Sequence, residues 1–191
     1  SWITDHNILS PLQAGFRTKT STTEQLFRLT AIQWKYVKAR KQSLYMAFVD
    51  LRAAFDLVPR ALLWKRLADM GVPDYLLRPI IALHEGNFAQ IQWGTKGELT
   101  NKIPINRGVR QGCVLAPTLF NLFINDIGDF LLQSCNDSPT IGGLKTPILT
   151  FADDSLLLSC TASGLQNLLN RFIDYLSSRG LEINVNKTKC M

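Results

Sequence analysis

The chain has 191 residues, 46% of them hydrophobic and 19% charged, with a formal net charge of +6. That composition supplies apolar material for one core and argues against a disordered chain. No apolar run reaches the ~18 residues of a membrane span, the start Ser1-Trp2-Ile3-Thr4-Asp5-His6 is polar where a secretory leader would be apolar, and four scattered cysteines with two histidines argue against zinc.

Charge is unevenly placed. Residues 1–66 hold 11 Lys and Arg against 4 Asp and Glu, whereas residues 67–191 hold 10 against 11. A basic N-terminal third has two readings, a face for a polyanion such as nucleic acid or a solvated helix with no partner. Cys113, Cys135, Cys160 and Cys190 form no C-x-x-C pair, which fits reduced thiols in an intracellular protein. The chain starts without Met and stops at Cys190-Met191, so a piece of something longer is expected.

Ser21-Thr22-Thr23-Glu24 has the form of a capping box. It predicts a helix to about residue 40, with Leu26, Leu29, Ile32 and Val37 inward and Arg28, Lys35 and Lys38 largely outward. The apolar run that ends at Asp50 reads as a strand over 44–50. Pro59 suits a first helical position and Gly71 the place just past a helix end, which predicts a helix over 59–70. A third helix, over 74–85, should be kinked or interrupted at Pro79. Residues 89–93 and 99–106 flank Gly94-Thr95-Lys96-Gly97 as a hairpin. A helix over 117–132 should bury Leu119, Phe120, Phe123, Ile127 and Leu131, and the stretch 135–147 is loop-rich. Residues 148–158 read as two strands joined at Asp153 and Asp154. Ser163-Gly164-Leu165-Gln166 is a second capping box, opening a helix with Leu165, Leu168, Leu169, Phe172 and Leu176 on one face and a stop at Gly180. Alternation over 181–185 predicts a final strand. Helices and strands mixed irregularly, with hairpins, indicate the α+β class.

Buried Asp is rare unless it is paired or binds a metal, which gives Asp153 and Asp154 a chemical reading. Their other reading is an ordinary hairpin turn. If the strand ending at Asp50 is a neighbour, three carboxylates converge. Three hard oxygen ligands suit Mg²⁺, and two such ions suit phosphoryl transfer. The Leu51 carbonyl lies beside Asp50. Phe55 has two readings, core packing or a ring that rejects a 2′-hydroxyl, and Asp56 reads as a cap. The segment 106–117 joins the hairpin to a helix. Its glycines, Gly108 and Gly112, permit close backbone approach, Gln111 can bond a base or sugar, and Arg110 can meet a phosphate.

Taken in order, these segments resemble the reverse transcriptase family and, within it, the non-LTR, LINE-type retrotransposon branch. Phe48 to Pro59 resembles the first palm motif. Arg107-Gly108-Val109-Arg110-Gln111-Gly112-Cys113 and the residues up to Asn121 resemble the second, and Phe151-Ala152-Asp153-Asp154 resembles the third. Gly180-Leu181-Glu182-Ile183-Asn184-Val185-Asn186-Lys187-Thr188-Lys189 resembles the fourth, and Gln13-Ala14-Gly15-Phe16-Arg17 with Ser21-Thr22-Thr23 resembles a fingers motif. The sequence departs from the family at Ala53, often a lysine, and at Lys19-Thr20, where Gly-Arg often precedes Ser-Thr.

The resemblance implies a polymerase palm, an antiparallel sheet backed by helices, over residues 46–191, with partial fingers and a basic helix over 1–45 and no thumb. It implies the RNA-directed DNA polymerase domain of a retrotransposon polyprotein. Asp50, Asp153 and Asp154 would be catalytic and, with the Leu51 carbonyl, would hold two Mg²⁺ or Mn²⁺ ions. Lys187 would be a general acid and Phe55 a sugar gate, and Arg110, Gln111, Gly112 and Arg17 would meet nucleotide and template. The implied partners are an RNA template, a DNA primer and dNTPs, with no membrane. A thumb and an endonuclease would stand elsewhere in the parent, which would need access to the nucleus. One alternative is a truncated or domesticated remnant that keeps the fold and nucleic-acid binding without catalysis. Another is a different palm enzyme, an RNA-templated RNA polymerase or a cyclase, from which a sugar gate at Phe55 would distinguish a DNA polymerase.

Overall fold

The computed structural model describes residues 2–6, 8–17, 20–94, 97–110 and 112–191. In chain order the elements are α1 (Trp2–Asp5), α2 (Thr22–Gln33) running into a π-helical segment (Trp34–Ala39), β1 (Tyr45–Val49), α3 (Ala54–Leu57), α4 (Arg60–Asp69) and α5 (Asp74–Ala82). There follow β2 (Phe88–Ala89), β3 (Gln92–Trp93), β4 (Glu98–Leu99), β5 (Ile103–Pro104), α6 (Ala116–Phe123) and α7 (Ile127–Leu132). The last third holds β6 (Thr140–Ile141), β7 (Leu144–Lys145), β8 (Ile148–Phe151), β9 (Asp154–Ser159), α8 (Ala162–Ser178) and β10 (Lys189–Cys190).

The centre is an antiparallel sheet in the order β10–β1–β9–β8. Alternation along each strand gives it two faces. Ala47, Val49, Ile148 and Leu157 enter the main core, together with residues of α4, α6, α7 and α8. Met46, Leu149, Leu156 and Leu158 meet Ile32 and Tyr36 in a smaller second core. Residues 12–14 run beside β8, with Thr150 N donating to Leu12 O and Ala14 N donating to Thr150 O, each at 3.0 Å. The expected α+β class, a palm-type antiparallel sheet backed by helices, is the fold observed. Among the described residues no helix is long and apolar enough to cross a membrane.

The helix α8 seats itself through one stripe: Leu165, Leu168, Phe172, Tyr175 and Leu176 are all buried. Each such side chain contributes roughly 1.5–3 kcal/mol when fully buried. Its cap is Thr161, whose hydroxyl accepts from Gly164 N at 3.0 Å, two residues ahead of the predicted box at Ser163. Beyond it, residues 181–185 contribute a single bridge, Leu51 to Ile183, and the strand after α8 that pairs with the free side of β1 is β10.

Three further expectations change. The helix predicted over 117–132 is broken into α6 and α7, while Leu119, Phe120, Phe123, Ile127 and Leu131 are buried as expected. The break places Asp126 to accept from Tyr175 Oη at 2.6 Å and Arg179 Nη2 at 2.7 Å, with Arg66 Nη2 at 2.9 Å. In the first long helix, Ser21 stands at the cap without a side-chain cap bond, and Leu26 and Val37 face solvent. The wider π-helical turn brings Tyr36 to the sheet in place of Val37. Arg28 and Lys35, both half-buried, donate to the carbonyls of Pro11 and Thr140. Pro79 is accommodated inside α5, which ends at Ala82. The predicted hairpin forms as β3 with β4, extended by β2 with β5; Thr95 and Lys96 at its tip lie outside the described residues.

Candidate active site

Asp50 follows β1 directly. Phe48 pairs with Leu156 and Val49 with Ser155, so one further step sets Asp50 across from Asp154. Alternation puts both on the side of Phe48 and Leu156. The strands β8 and β9 are joined by two residues, Ala152 and Asp153, closed by the Phe151–Asp154 pair. Ala152 takes a left-handed φ of +58°, the backbone such tight hairpin loops require.

A cleft of about 600 Å³ opens between α2 and this face of the sheet. Leu26 and Leu29 form its wall, Phe48 and Leu156 its apolar floor, and Asp50, Asp154 and Lys187 line it too, whereas Asp153 does not. Burial pushes the Asp154 carboxyl above its ordinary range, and the charges of Asp153 and then Asp50 push it further. Lys187 Nζ stands 3.9 Å from Asp50 Oδ2. Beside them Arg52 N donates to Glu182 O and Asn184 N to Asp50 O, both at 2.8 Å. That pairing uses no carbonyl of Leu51.

Among the described residues no three of His, Cys, Asp and Glu stand close enough to hold a metal ion. The donor set still fits a divalent cation. It consists of hard oxygens of like charge, near enough that two raise the proton affinity of the third, and a cation relieves that repulsion.

The structure brings the second motif against the first. Val109 N donates to Phe55 O at 2.9 Å and Gly108 N to Val58 O at 2.8 Å. Gly108 has φ +81°, and a Cβ there would stand 2.8 Å from Asp56 O. Arg60, which the sequence did not single out, donates to the carbonyls of Gly108, Ile105 and His84 at 2.6–2.8 Å. Arg110 and Gly112 are exposed, and Gln111 lies outside the described residues. Phe55 is half-buried with its ring 4.9 Å from that of Phe120. Arg17 turns to its own loop, Nη1 donating to Ser10 O at 2.6 Å and Gln13 O at 3.0 Å. Gln13, the first residue of the segment that resembles a fingers motif, bonds the Ala152 backbone, a role for which the sequence carries no spacing signal.

The model of the family described as reverse transcriptase (RNA-dependent DNA polymerase) matches residues 1–191. The Pol polyprotein of a type-1 R2 retrotransposable element from Popillia japonica is 30% identical over 187 residues, covering 94% of this chain and 25% of that protein. An RNA-directed DNA polymerase from the mobile element jockey of Drosophila melanogaster is 30% identical over 181 residues, 92% of this chain and 19% of that protein. The chain thus spans about a quarter or less of these relatives. Among solved structures, apo telomerase from Candida tropicalis has a TM-score of 0.68 at 17% identity, covering 94% of this chain and 36% of that one. Telomerase from the same yeast with a fragment of telomeric RNA scores 0.69 at 16% identity, covering 94% and 30%.

Proposed function

The chain belongs to the reverse transcriptase (RNA-dependent DNA polymerase) family, and from that premise we propose that it is the palm, with part of the fingers, of an RNA-directed DNA polymerase. The reaction is transfer of a dNTP to a primer 3′-hydroxyl on an RNA template. The observation that carries the reading is Asp50 set across from Asp154 in a cleft that both line. Residues 46–191 are the palm in this reading, and 1–45 the partial fingers. Similarity to R2 and jockey proteins supports a retrotransposon polyprotein as the parent, with thumb and endonuclease among its further domains.

Asp50, Asp153 and Asp154, with the Leu51 carbonyl, would hold two divalent cations, Mg²⁺ or Mn²⁺. Bound there, such ions lower the pKa of the primer hydroxyl and neutralise charge on the triphosphate. The chain supplies the rest. Lys187, beside Asp50, gives a proton to the leaving pyrophosphate. Arg110 meets phosphate, Gln111 bonds base or sugar, and Gly112 lets template and nucleotide approach the backbone. Phe55 limits the space at the sugar. The exposed Lys38, Arg40 and Lys41 follow template phosphates without reading sequence. A non-catalytic remnant is not favoured, because every carboxylate of the site is retained.

The test is primer extension on poly(rA)–oligo(dT) with Mg²⁺ and dTTP, comparing the chain with its Asp153→Asn variant. Extension by the wild type alone is expected. Extension by both, or none by a folded wild type even with the parent's flanks restored, overturns the reading.

A further inference from the structure

The loop that carries Asp153 is held by a side chain 139 residues away in sequence. Gln13 is 4% exposed. Its Oε1 accepts from Ala152 N at 3.0 Å and from Gly15 N at 2.7 Å, and its Nε2 donates to Ala152 O at 3.2 Å. A carboxamide offers a donor and an acceptor side by side, as a peptide unit does. Gln13 therefore pairs with Ala152 as a neighbouring strand would.

Ala152 needs such a partner. It is 5% exposed, so its N–H and C=O are cut off from water and must be satisfied within the protein. Its left-handed φ of +58° is costly for a residue with a Cβ and persists only where the surroundings fix it. Two more amides hold the brace itself. Gln25 Nε2 donates to Leu12 O at 3.0 Å and Thr150 O at 2.8 Å, and Asn121 Nδ2 donates to Gly15 O at 2.7 Å. Gly15 lets the two backbones close together, because a Cβ there would overlap Ala152 N and stand 2.9 Å from Ala152 Cα.

We propose that Gln13 is a positioning residue that fixes the Ala152 turn and, through it, the direction of the Asp153 and Asp154 carboxylates. The segment that resembles a fingers motif then acts on the third palm motif by hydrogen bonding. For its kinetic consequence the proposal rests on the polymerase reading; for its structural content it does not.

Gln13→Met keeps the volume and removes all three bonds, whereas Gln13→Glu keeps the acceptor and loses the donation to Ala152 O. Three measurements on the full chain are decisive together: amide hydrogen exchange, Mn²⁺ binding by calorimetry, and kcat and KM for dTTP in primer extension. In Gln13→Met, exchange at the Ala152 amide should rise about tenfold while amides of α8 keep wild-type rates. Mn²⁺ should bind about tenfold more weakly, as when an outer-shell partner of a ligand is removed. The kcat should fall by about tenfold or more with KM within about twofold, and Gln13→Glu should lie between. Unchanged exchange at Ala152, or a rise shared equally by α8, overturns the proposal. If the wild type extends no primer even with the parent's flanks restored, the polymerase reading fails, and exchange with Mn²⁺ binding still decides whether Gln13 positions the turn.

Discussion

Lys187 Nζ and Asp50 Oδ2 stand 3.9 Å apart in the cleft they share. The two side chains are 70% and 30% exposed, so as an ion pair they stabilise the fold by at most about 1 kcal/mol. Under the proposed function the contact's weight lies in the chemistry rather than in folding. Lys187→Ala should leave the melting temperature within about 2 °C and slow single-turnover extension by about a hundredfold. The basic limb of the pH–rate profile should shift with it. A wild-type rate in the variant would remove Lys187 from the reaction.

Asp154 makes a prediction of opposite sign for stability. Its carboxyl is pushed up by burial, then by Asp153 and Asp50. A raised folded-state pKa contributes stability that is present below the unfolded value, about 3.9, and lost as pH rises through the folded value. At pH 7 without divalent cations the ionised Asp154 is thus a net cost. Asp154→Asn should melt higher than the wild type there, and the difference should shrink towards pH 3. Added Mg²⁺ should narrow it too, by stabilising only the wild type. Thermal melts at both pH values, with and without Mg²⁺, test the sign; a variant that melts lower at pH 7 contradicts it.

Phe55 brings its two readings into one measurement. Its ring rests on Phe120, which is fully buried, so Phe55→Ala should destabilise the chain by about 2–3 kcal/mol. As a sugar gate it should also admit ribonucleotides, lowering dNTP over NTP discrimination about tenfold or more. Competition between dTTP and UTP in primer extension separates the two. Reduced stability with unchanged discrimination leaves Phe55 as a packing residue alone.

What the sequence makes legible here is what local pattern controls. The stripe of α8 follows from helical periodicity, and the hairpin from an apolar run broken at one point, although its two-residue loop is Ala152-Asp153, one residue ahead of the expected Asp153-Asp154, with Asp154 opening β9. Asp50 meets Asp154 because β1 and β9 are both short and apolar and pair without a bulge. What pattern does not reveal depends on partners far along the chain. The break between α6 and α7 depends on Arg66, Tyr175 and Arg179, which lie 49–60 positions from Asp126. Gln13 stands in the segment that resembles a fingers motif, but nothing in that pattern shows its bonds to Ala152, 139 positions away. The outward turn of Val37 comes from a π-helical segment that ordinary helical spacing does not anticipate, and Leu26, on the regular helix before it, faces the open cleft rather than the core.

Asp126 gives the last prediction, because it joins four elements through one carboxylate. It accepts from Tyr175 of α8, pairs with Arg66 of α4, and binds Arg179 just past the end of α8, while it sits itself in the turn between α6 and α7. Tyr175 is 2% exposed, so Asp126→Ala leaves a buried hydroxyl without its acceptor, at about 1–3 kcal/mol. Tyr175→Phe removes the hydroxyl and leaves Asp126 with its two arginines, a smaller loss. A double-mutant cycle between them should show about 1–2 kcal/mol of coupling. The Tyr175 phenol is pushed well above its ordinary range by burial first and by the Asp126 charge second. Its contribution is therefore whole below the unfolded value, about pH 10, and falls as pH rises beyond it. Denaturant unfolding between pH 8 and about pH 11 should show wild-type stability falling more steeply than that of Tyr175→Phe. Parallel curves would mean that the phenol is not held neutral by this site, and additive single variants that the hydroxyl and the carboxylate do not act together.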